Sequence, residues 1–337
     1  MRRHVKLAAG LLNQSQNTRR PLIVVLGASG FLGPAVIDRL AGLPVKVRAV
    51  ARGLAPAPPR TVADIEGHRT DLARPGALAA AVEGADAVVH LAAHVGDGRS
   101  WRAAGEDSEQ VNVGLMRDLV TAFEHREAPA PAVVFASTAQ AAGPSGLPRA
   151  AYARQKMAAE ELLREATARG AVRGAVLRLS TVYGRSPLTG SLGRGVLAAM
   201  ARRALDDAPL TMWHDGTVER DFLHVRDAAR AFVTALDHLP GLQGGDWSVG
   251  SGSRVQLGDV FRSLADAVAE RTGRPPVPVL SVEPPDFAAA GDFHTPECDP
   301  AAFGAVTGWS PSVPLHDGLD ELAAELVAAQ ASTSRER

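Results

Sequence analysis

Cysteine is almost absent from this chain of 337 residues. Cys298 stands alone, so no internal disulfide can form, and the composition suits a reducing cytoplasm. Long apolar runs are missing as well: none approaches the roughly 20 residues of a membrane-spanning helix, so no membrane partner is expected. Net charge is only -1, which removes the general attraction to nucleic acid or to an anionic lipid surface. Any anionic ligand must be held by locally placed arginines. Tyrosine is rare, limited to Tyr152 and Tyr183. Lysine is nearly as scarce: of 36 basic residues only Lys6, Lys46 and Lys156 are lysine. No metal site is expected.

What is present is an ordinary soluble composition, 46% apolar and 22% charged, enough for one large α/β unit or two interleaved domains. Residues 1–20 imitate a signal peptide, with Arg2, Arg3 and Lys6 before Leu7 to Leu12. The apolar stretch is short and no cleavage site follows, so a mobile N-terminal extension is expected. From Pro21 the pattern alternates. Leu22 to Leu26 reads as a strand covered on both faces, followed by a glycine turn and a helix through Leu40. Val45 to Ala51, Ala87 to Ala92 and Ala132 to Ala136 read as further strands, with helices over Ser108 to His125 and Tyr152 to Arg169. This rhythm predicts a parallel sheet wound on both faces. Past residue 180 glycine, proline and arginine accumulate, which predicts a smaller, loop-rich second domain. A helix is expected over Asp227 to His238 and a strand over Trp247 to Gly250 that returns to the first domain.

Gly27-Ala28-Ser29-Gly30-Phe31-Leu32-Gly33 joins the first strand to the first helix. Gly27 permits a tight turn, Gly30 lets backbone approach a pyrophosphate, and Gly33 allows close packing of helix on sheet. The phosphates of a dinucleotide would then sit on the helix N-terminus, with Ser29, Phe31 and Leu32 around them. The second strand ends in Val50-Ala51-Arg52-Gly53, with no carboxylate for a ribose 2′-hydroxyl. Arg52 instead suits a 2′-phosphate, so NADP(H) is favoured over NAD, unless Arg52 is one more solvated arginine. Asp71 and Leu72 suit the adenine edge, and Leu91, Ala92 and Ala93 offer small side chains beside the cofactor.

Lys156 lies four residues after Tyr152, and two hydroxyls, Ser137 and Thr138, end the fifth strand upstream. A hydroxyl, a phenol and an ammonium make a carbonyl-reducing site. Lys156 would hold the nicotinamide ribose and stabilise the tyrosinate, since the phenol must move from about pKa 10 towards neutral to exchange protons. Thr138, rather than Ser137, would hold the substrate oxygen, leaving Ser137 on the cofactor side. Asn112 either supports the Lys156 side through a relay or is a surface amide. His94, Asp97 and Trp101 follow the fourth strand, and either contact substrate or anchor their loop. Trp213 either stacks on a base or packs in the second domain's core, with the core favoured.

Together these residues resemble the extended short-chain dehydrogenase/reductases, from about Leu22 to Leu326. Arg178-Leu179-Ser180-Thr181-Val182-Tyr183-Gly184, Glu219 to Asp227, and Thr307-Gly308-Trp309-Ser310-Pro311 belong to the likeness. It implies an α/β fold: a Rossmann-type doubly wound parallel sheet over 21–180 and a smaller C-terminal α/β substrate domain over 181–330. Residues of about 225–255 would return to the first domain, and Ser180 and Val182 would flank the cofactor. Within the family the chain is most similar to the NDP-4-keto-6-deoxyhexose C4-ketoreductases of antibiotic deoxysugar biosynthesis. Ser137 to Ala142, Gly193 to Val196 and Thr211 to Gly216 carry that closer likeness. The resemblance implies that Arg220 holds the substrate's diphosphate, with Arg194 and Arg202 as weaker candidates. His294 stands near where many relatives have a phosphate-binding arginine.

In the 4,6-dehydratases of this family an Asp-Glu pair follows the catalytic threonine. Here Ala139 and Gln140 stand there, and neither can protonate or deprotonate a sugar carbon. The expectation is therefore an NADPH-dependent C4-ketoreductase of a dTDP-4-keto-deoxyhexose, cytoplasmic, and dimeric through helices Ser108–His125 and Tyr152–Arg169. Its rival is a nucleotide-sugar C4-epimerase with tightly bound cofactor. A non-catalytic NADP-binding sensor would have no need for Thr138, Tyr152 and Lys156 together.

Overall fold

A computed structural model describes residues 19–54, 57–94, 106–124, 126, 129–142, 150–192, 195–286, 288, 293–294 and 296–335. Most of the N-terminal extension, Asp97, Trp101 and Arg194 lie outside the described residues.

The first half alternates strand and helix: β1 (Leu22–Leu26), α1 (Gly33–Ala41), β2 (Lys46–Ala51), β3 (Asp64–Arg69), α2 (Ala77–Val82), β4 (Ala87–His90), α3 (Leu115–Phe123), β5 (Ala132–Thr138), α4 (Ala151–Ala168) and β6 (Arg173–Leu179), of which the sequence pattern does not assign β3, α2 and β6. The second half adds β7 (Thr181–Tyr183), α5 (Val196–Leu205), β8 (Leu210–Met212), β9 (Glu219–His224), α6 (Val225–Asp237), β10 (Asp246–Val249), β11 (Arg254–Gln256), α7 (Leu257–Thr272), β12 (Val279–Ser281), α8 (Ala301–Thr307) and α9 (Leu315–Arg335).

Seven strands form one sheet in the order β10-β6-β5-β4-β1-β2-β3, every pair parallel. β10 joins it at the edge, beside β6. Strand order reverses next to β1, whose neighbours are β2 and β4, and ligands bind this class of sheet at the carboxyl ends beside such a switch point. Ile23 and Val25 enter one core, against α1 and α6; Val24 and Leu26 enter the opposite core, against α2, α3 and α4. A one-residue slip of β1 would exchange these two sets, so register is strongly specified. Each fully buried Val or Leu contributes about 1.5–3 kcal/mol to this arrangement.

A third core, with Tyr183, Leu197, Phe222, Phe261, Leu264 and Leu322, joins α5, α7 and α9 to the short sheets β11-β9-β7 and β12-β8. The second half is therefore more helical than its glycine and proline content suggests. Its helices are alanine-rich, and alanine gives little contrast between faces, which hides the 3.6-residue period.

One element departs from the expected plain helix over Ser108 to His125. A helical turn at Glu106–Glu109 runs into a π-helical segment, Gln110–Gly114, before α3. The wider turn carries Asn112, which is buried. Such π segments are frequent at functional sites.

Candidate active site

The glycine turn explains itself sterically. Gly27 has φ +88°, and a Cβ there would stand 2.8 Å from the Ala92 nitrogen, at the end of β4. The Gly27 and Ala28 amides both donate to the Val50 carbonyl at 3.0 Å, which ties the turn to β2. A Cβ on Gly33 would lie 2.5 Å from the carbonyl oxygens of both Gly27 and Ala28. No side chain caps α1, so its first N–H groups are left for an anion. The residues present thus fit a dinucleotide pyrophosphate.

A cleft opens beside this turn, lined by Gly27, Ser29, Gly30, Arg52, Asp71, Leu72, Leu91, Ala92, Ala93 and His94. Phe31, Leu32 and Val182 are partly buried against the sheet's first core instead. The Asp71 carboxylate accepts the Ala73 amide at 3.2 Å. Arg69, which the sequence reading did not single out, ends β3 beside β2 and donates from Nε to the Arg52 carbonyl at 3.1 Å. Arg69 thus lies against Arg52, which lines the cleft. β3 itself is polar and largely exposed, and its strand pattern is too weak to mark its last residue.

β5 delivers the two hydroxyls and α4 the phenol and ammonium. Lys156 is 1% exposed, with Nζ donating to the Ala136 carbonyl at 2.8 Å and lying 4.5 Å above the Phe135 ring. The Tyr152 ring centroid is 5.7 Å away. Ser137 is buried and donates to Glu160, whereas Thr138 is half-buried and accepts the Gln140 amide at 3.3 Å. Thr138 is thus the hydroxyl of the pair with access to a substrate. Glu160, one turn beyond Lys156, pairs with Arg178. Arg178 also reaches Asp246 on β10 at 2.8 Å, and Arg164 reaches the same carboxylate at 3.0 Å. Sequence spacing could have found Glu160, four residues after Lys156, but not its partners Ser137 on β5 and Arg178 on β6.

Burial sets the electrostatics. It lowers Lys156 to about 7, against the opposing charge of Glu160, and raises Tyr152 to about 12. The phenol thus stands above its ordinary value rather than nearer neutral, because burial disfavours its charged form. His90, at the end of β4, packs edge-on to Phe135 at 5.3 Å and is lowered to about 3 by burial and then by Lys156. Neither of its ring nitrogens has a partner among the described residues.

Asn112 is not joined to Lys156. Its amide oxygen accepts the His94 N–H at 2.9 Å, while its nitrogen donates to the His94 carbonyl at 3.0 Å and to Gln155 at 2.8 Å. It clamps the loop after β4 to α4, and so holds His94 in the cleft wall. Ser180 donates its amide to the Val249 carbonyl at 3.1 Å, and its hydroxyl is buried without a partner among the described residues.

A second cleft, about 320 Å³, lies among Thr181, Met200, Trp213, His214, Arg220, Phe261 and Phe293. That is the size of small-molecule sites. Trp213 lines it and is not among the buried residues of the third core, contrary to the favoured reading. Arg202 and His294 are exposed and do not line it.

The family model described as "NAD dependent epimerase/dehydratase family" matches residues 23–250, from β1 to the end of β10. The chain belongs to this family. It is 29% identical to the dTDP-6-deoxy-L-talose 4-dehydrogenase (NAD(P)(+)) of Kitasatospora kifunensis, over 89% of this chain and 94% of that protein. It is 30% identical to the 2'-dehydrokanamycin reductase of Streptomyces kanamyceticus, over 81% of this chain and 72% of that one. A match at 29% identity to the dTDP-L-rhamnose 4-epimerase of Burkholderia thailandensis covers 52% of this chain and only 46% of that protein. Among solved structures, MoeE5 in complex with UDP-glucose and NAD superposes with a TM-score of 0.75 at 27% identity, over 92% of this chain and 99% of that one. Among the described residues no helix is long and apolar enough to cross a membrane.

Proposed function

We propose that this chain is an NADPH-dependent C4-ketoreductase acting on a dTDP-4-keto-deoxyhexose, in a route to an antibiotic deoxysugar. The observation that carries the reading is the Thr138-Ala139-Gln140 turn beside Tyr152 and Lys156. It offers the groups for carbonyl reduction and no acid or base for elimination at a neighbouring carbon. When bound, NADPH supplies the hydride for the C4 carbonyl. Gly27, Ser29, Gly30 and Gly33 would cradle its pyrophosphate, Arg52 and Arg69 its 2′-phosphate, and Asp71, Leu72 and Leu91 to Ala93 its adenosine side. Ser180 and Val182 would lie at its nicotinamide end. Thr138 holds the carbonyl oxygen, and Tyr152, protonated over the whole neutral range, gives that oxygen its proton. Lys156 fixes the ribose and, as an ammonium, eases departure of the phenolic proton. Arg220 would hold the substrate's diphosphate in the second cleft, and His94 the sugar side.

Support comes from relatives whose names include a dTDP-sugar 4-dehydrogenase and a reductase. Other relatives are named as 4-epimerases, so a C4-epimerase is the second reading. The two differ in stoichiometry. A reductase consumes one NADPH per 4-keto sugar reduced, seen as loss of its near-ultraviolet absorbance. An epimerase interconverts 4-hydroxy sugars with no net change, and that result would refute the reductase. We place the protein in the cytoplasm as a homodimer through α3 and α4, to be checked by sedimentation at micromolar concentration.

A further inference from the structure

The sequence reading gave His214 no role of its own, yet it stands in the wall of the second cleft with Trp213 and Arg220. Its ring and its backbone are each held by one hydrogen bond. The Gly216 amide donates to Nδ1 at 2.9 Å, and Ser281 on β12 donates to the His214 carbonyl at 2.8 Å. An Nδ1 that accepts a hydrogen bond cannot carry the proton of a neutral imidazole, so the proton is on Nε2. Nothing among the described residues accepts from that nitrogen. The turn therefore presents one oriented N–H donor into a cleft that already contains a guanidinium.

We propose that His214 is a phosphate-binding residue: its Nε2–H, beside Arg220, donates to the nucleoside diphosphate of the substrate, and the imidazole takes up a proton from solvent as that anion binds. This rests on the reading of the second cleft as the nucleotide end of the substrate site. The charged groups around the ring account for the proton. Burial and the Arg220 guanidinium on β9 hold the imidazole below its ordinary value, with Asp215 opposing them. Asp215 is itself kept ionised by the hydroxyl and amide of Thr217. β12 brings the uncharged Ser281, and α7, which packs on Gly216 through Gly258, brings Arg262, already paired with Asp259. A diphosphate adds negative charge beside the ring, and an adjacent anion favours imidazolium. The neutral donor then becomes a charged one, with a stronger bond.

The test is calorimetric titration of the full-length protein with dTDP at pH 7, in two buffers of different ionisation enthalpy. The difference between buffers counts protons taken up per ligand bound. The unmodified protein is expected to take up a substantial fraction of one proton. His214→Asn keeps an acceptor for the Gly216 amide, as asparagine does in such turns, and removes the titratable ring together with Nε2–H, its own amide N–H₂ sitting on a shorter side chain that does not reach the Nε2 position. It should take up none and bind dTDP about 10-fold more weakly, the worth of one charge-assisted hydrogen bond. His214→Gln carries its amide donor one carbon further, to the Nε2 position, and cannot titrate, so part of the affinity returns without proton uptake. Undiminished uptake or unchanged affinity in His214→Asn overturns the assignment and leaves the substrate reading standing, as does absence of uptake by the unmodified protein when it binds dTDP. If the unmodified protein does not bind dTDP at all, both fall together.

Discussion

Lys156 concentrates the chemistry of this site in one side chain. Its ammonium is buried against a carbonyl and a ring face rather than in water, and burial brings its pKa down to about 7. In the proposed reduction the charged form is the one that assists Tyr152, so kcat/KM should be high below that value and fall as pH rises through it. Glu160 is the group that raises Lys156. Glu160→Gln should therefore move this alkaline limb to lower pH. A limb that stays in place would show that Glu160 only holds Ser137 and Arg178. Tyr152→Phe tests the neighbouring role, since it removes the proton and little volume. Turnover should drop about 10²–10⁴-fold, the usual worth of a positioned general acid, while NADPH affinity changes by less than about 3-fold. Normal turnover in that variant would remove Tyr152 from the reaction.

At the scale of elements, the site is made by turns that only certain residues permit. Gly33 begins α1 against two carbonyl oxygens, and nothing in that contact is flexible. Gly33→Ala must push the helix off the turn, at about 1–3 kcal/mol of stability by the usual cost of overpacking. NADPH binding should weaken as the N–H groups lose their aim, measured as a lower thermal midpoint and a smaller midpoint gain on adding NADPH. A fully retained gain would mean that the turn does not contact the cofactor. The glycine turn was legible in the sequence because glycine spacing is itself a steric statement, and the Tyr152–Lys156 spacing because a helix turns every 3.6 residues. The π-helical segment was not legible. It follows from Asn112 meeting His94 and Gln155 across three elements, and no local pattern encodes such a contact. The Glu160–Arg178–Asp246 chain fails for the same reason: α4, β6 and β10 meet only once the sheet has closed.

For the molecule as a whole, β1, β2, β4 and β5 could be read in advance because they are largely apolar and buried, whereas polar, exposed β3 could not. The third core, built from alanine-rich helices, could not. What unites the halves also sets how the fold responds to acid. His90 ends β4 in the main sheet, and His224 ends β9 beneath α9; burial lowers them to about 3 and about 4. Unfolded, each would titrate near 6.5. Between pH 6.5 and 4 the unfolded chain therefore binds protons that the folded chain refuses, and stability falls as pH falls across that window. Asp227, which anchors Ser312 and Val313 to α6, is held below its ordinary value. Its contribution is present above the carboxylate range and lost only at still lower pH, so the two histidines dominate the upper window. Thermal midpoints followed by circular dichroism should decline from pH 6.5 to 4. His90→Leu should flatten the slope by up to one proton, with no matching change above pH 7. His224 also accepts the Arg226 amide at the start of α6, so His224→Asn, which retains an acceptor, is the matched change in the second half. Equal slopes in all three proteins would mean that neither histidine is kept neutral by the fold.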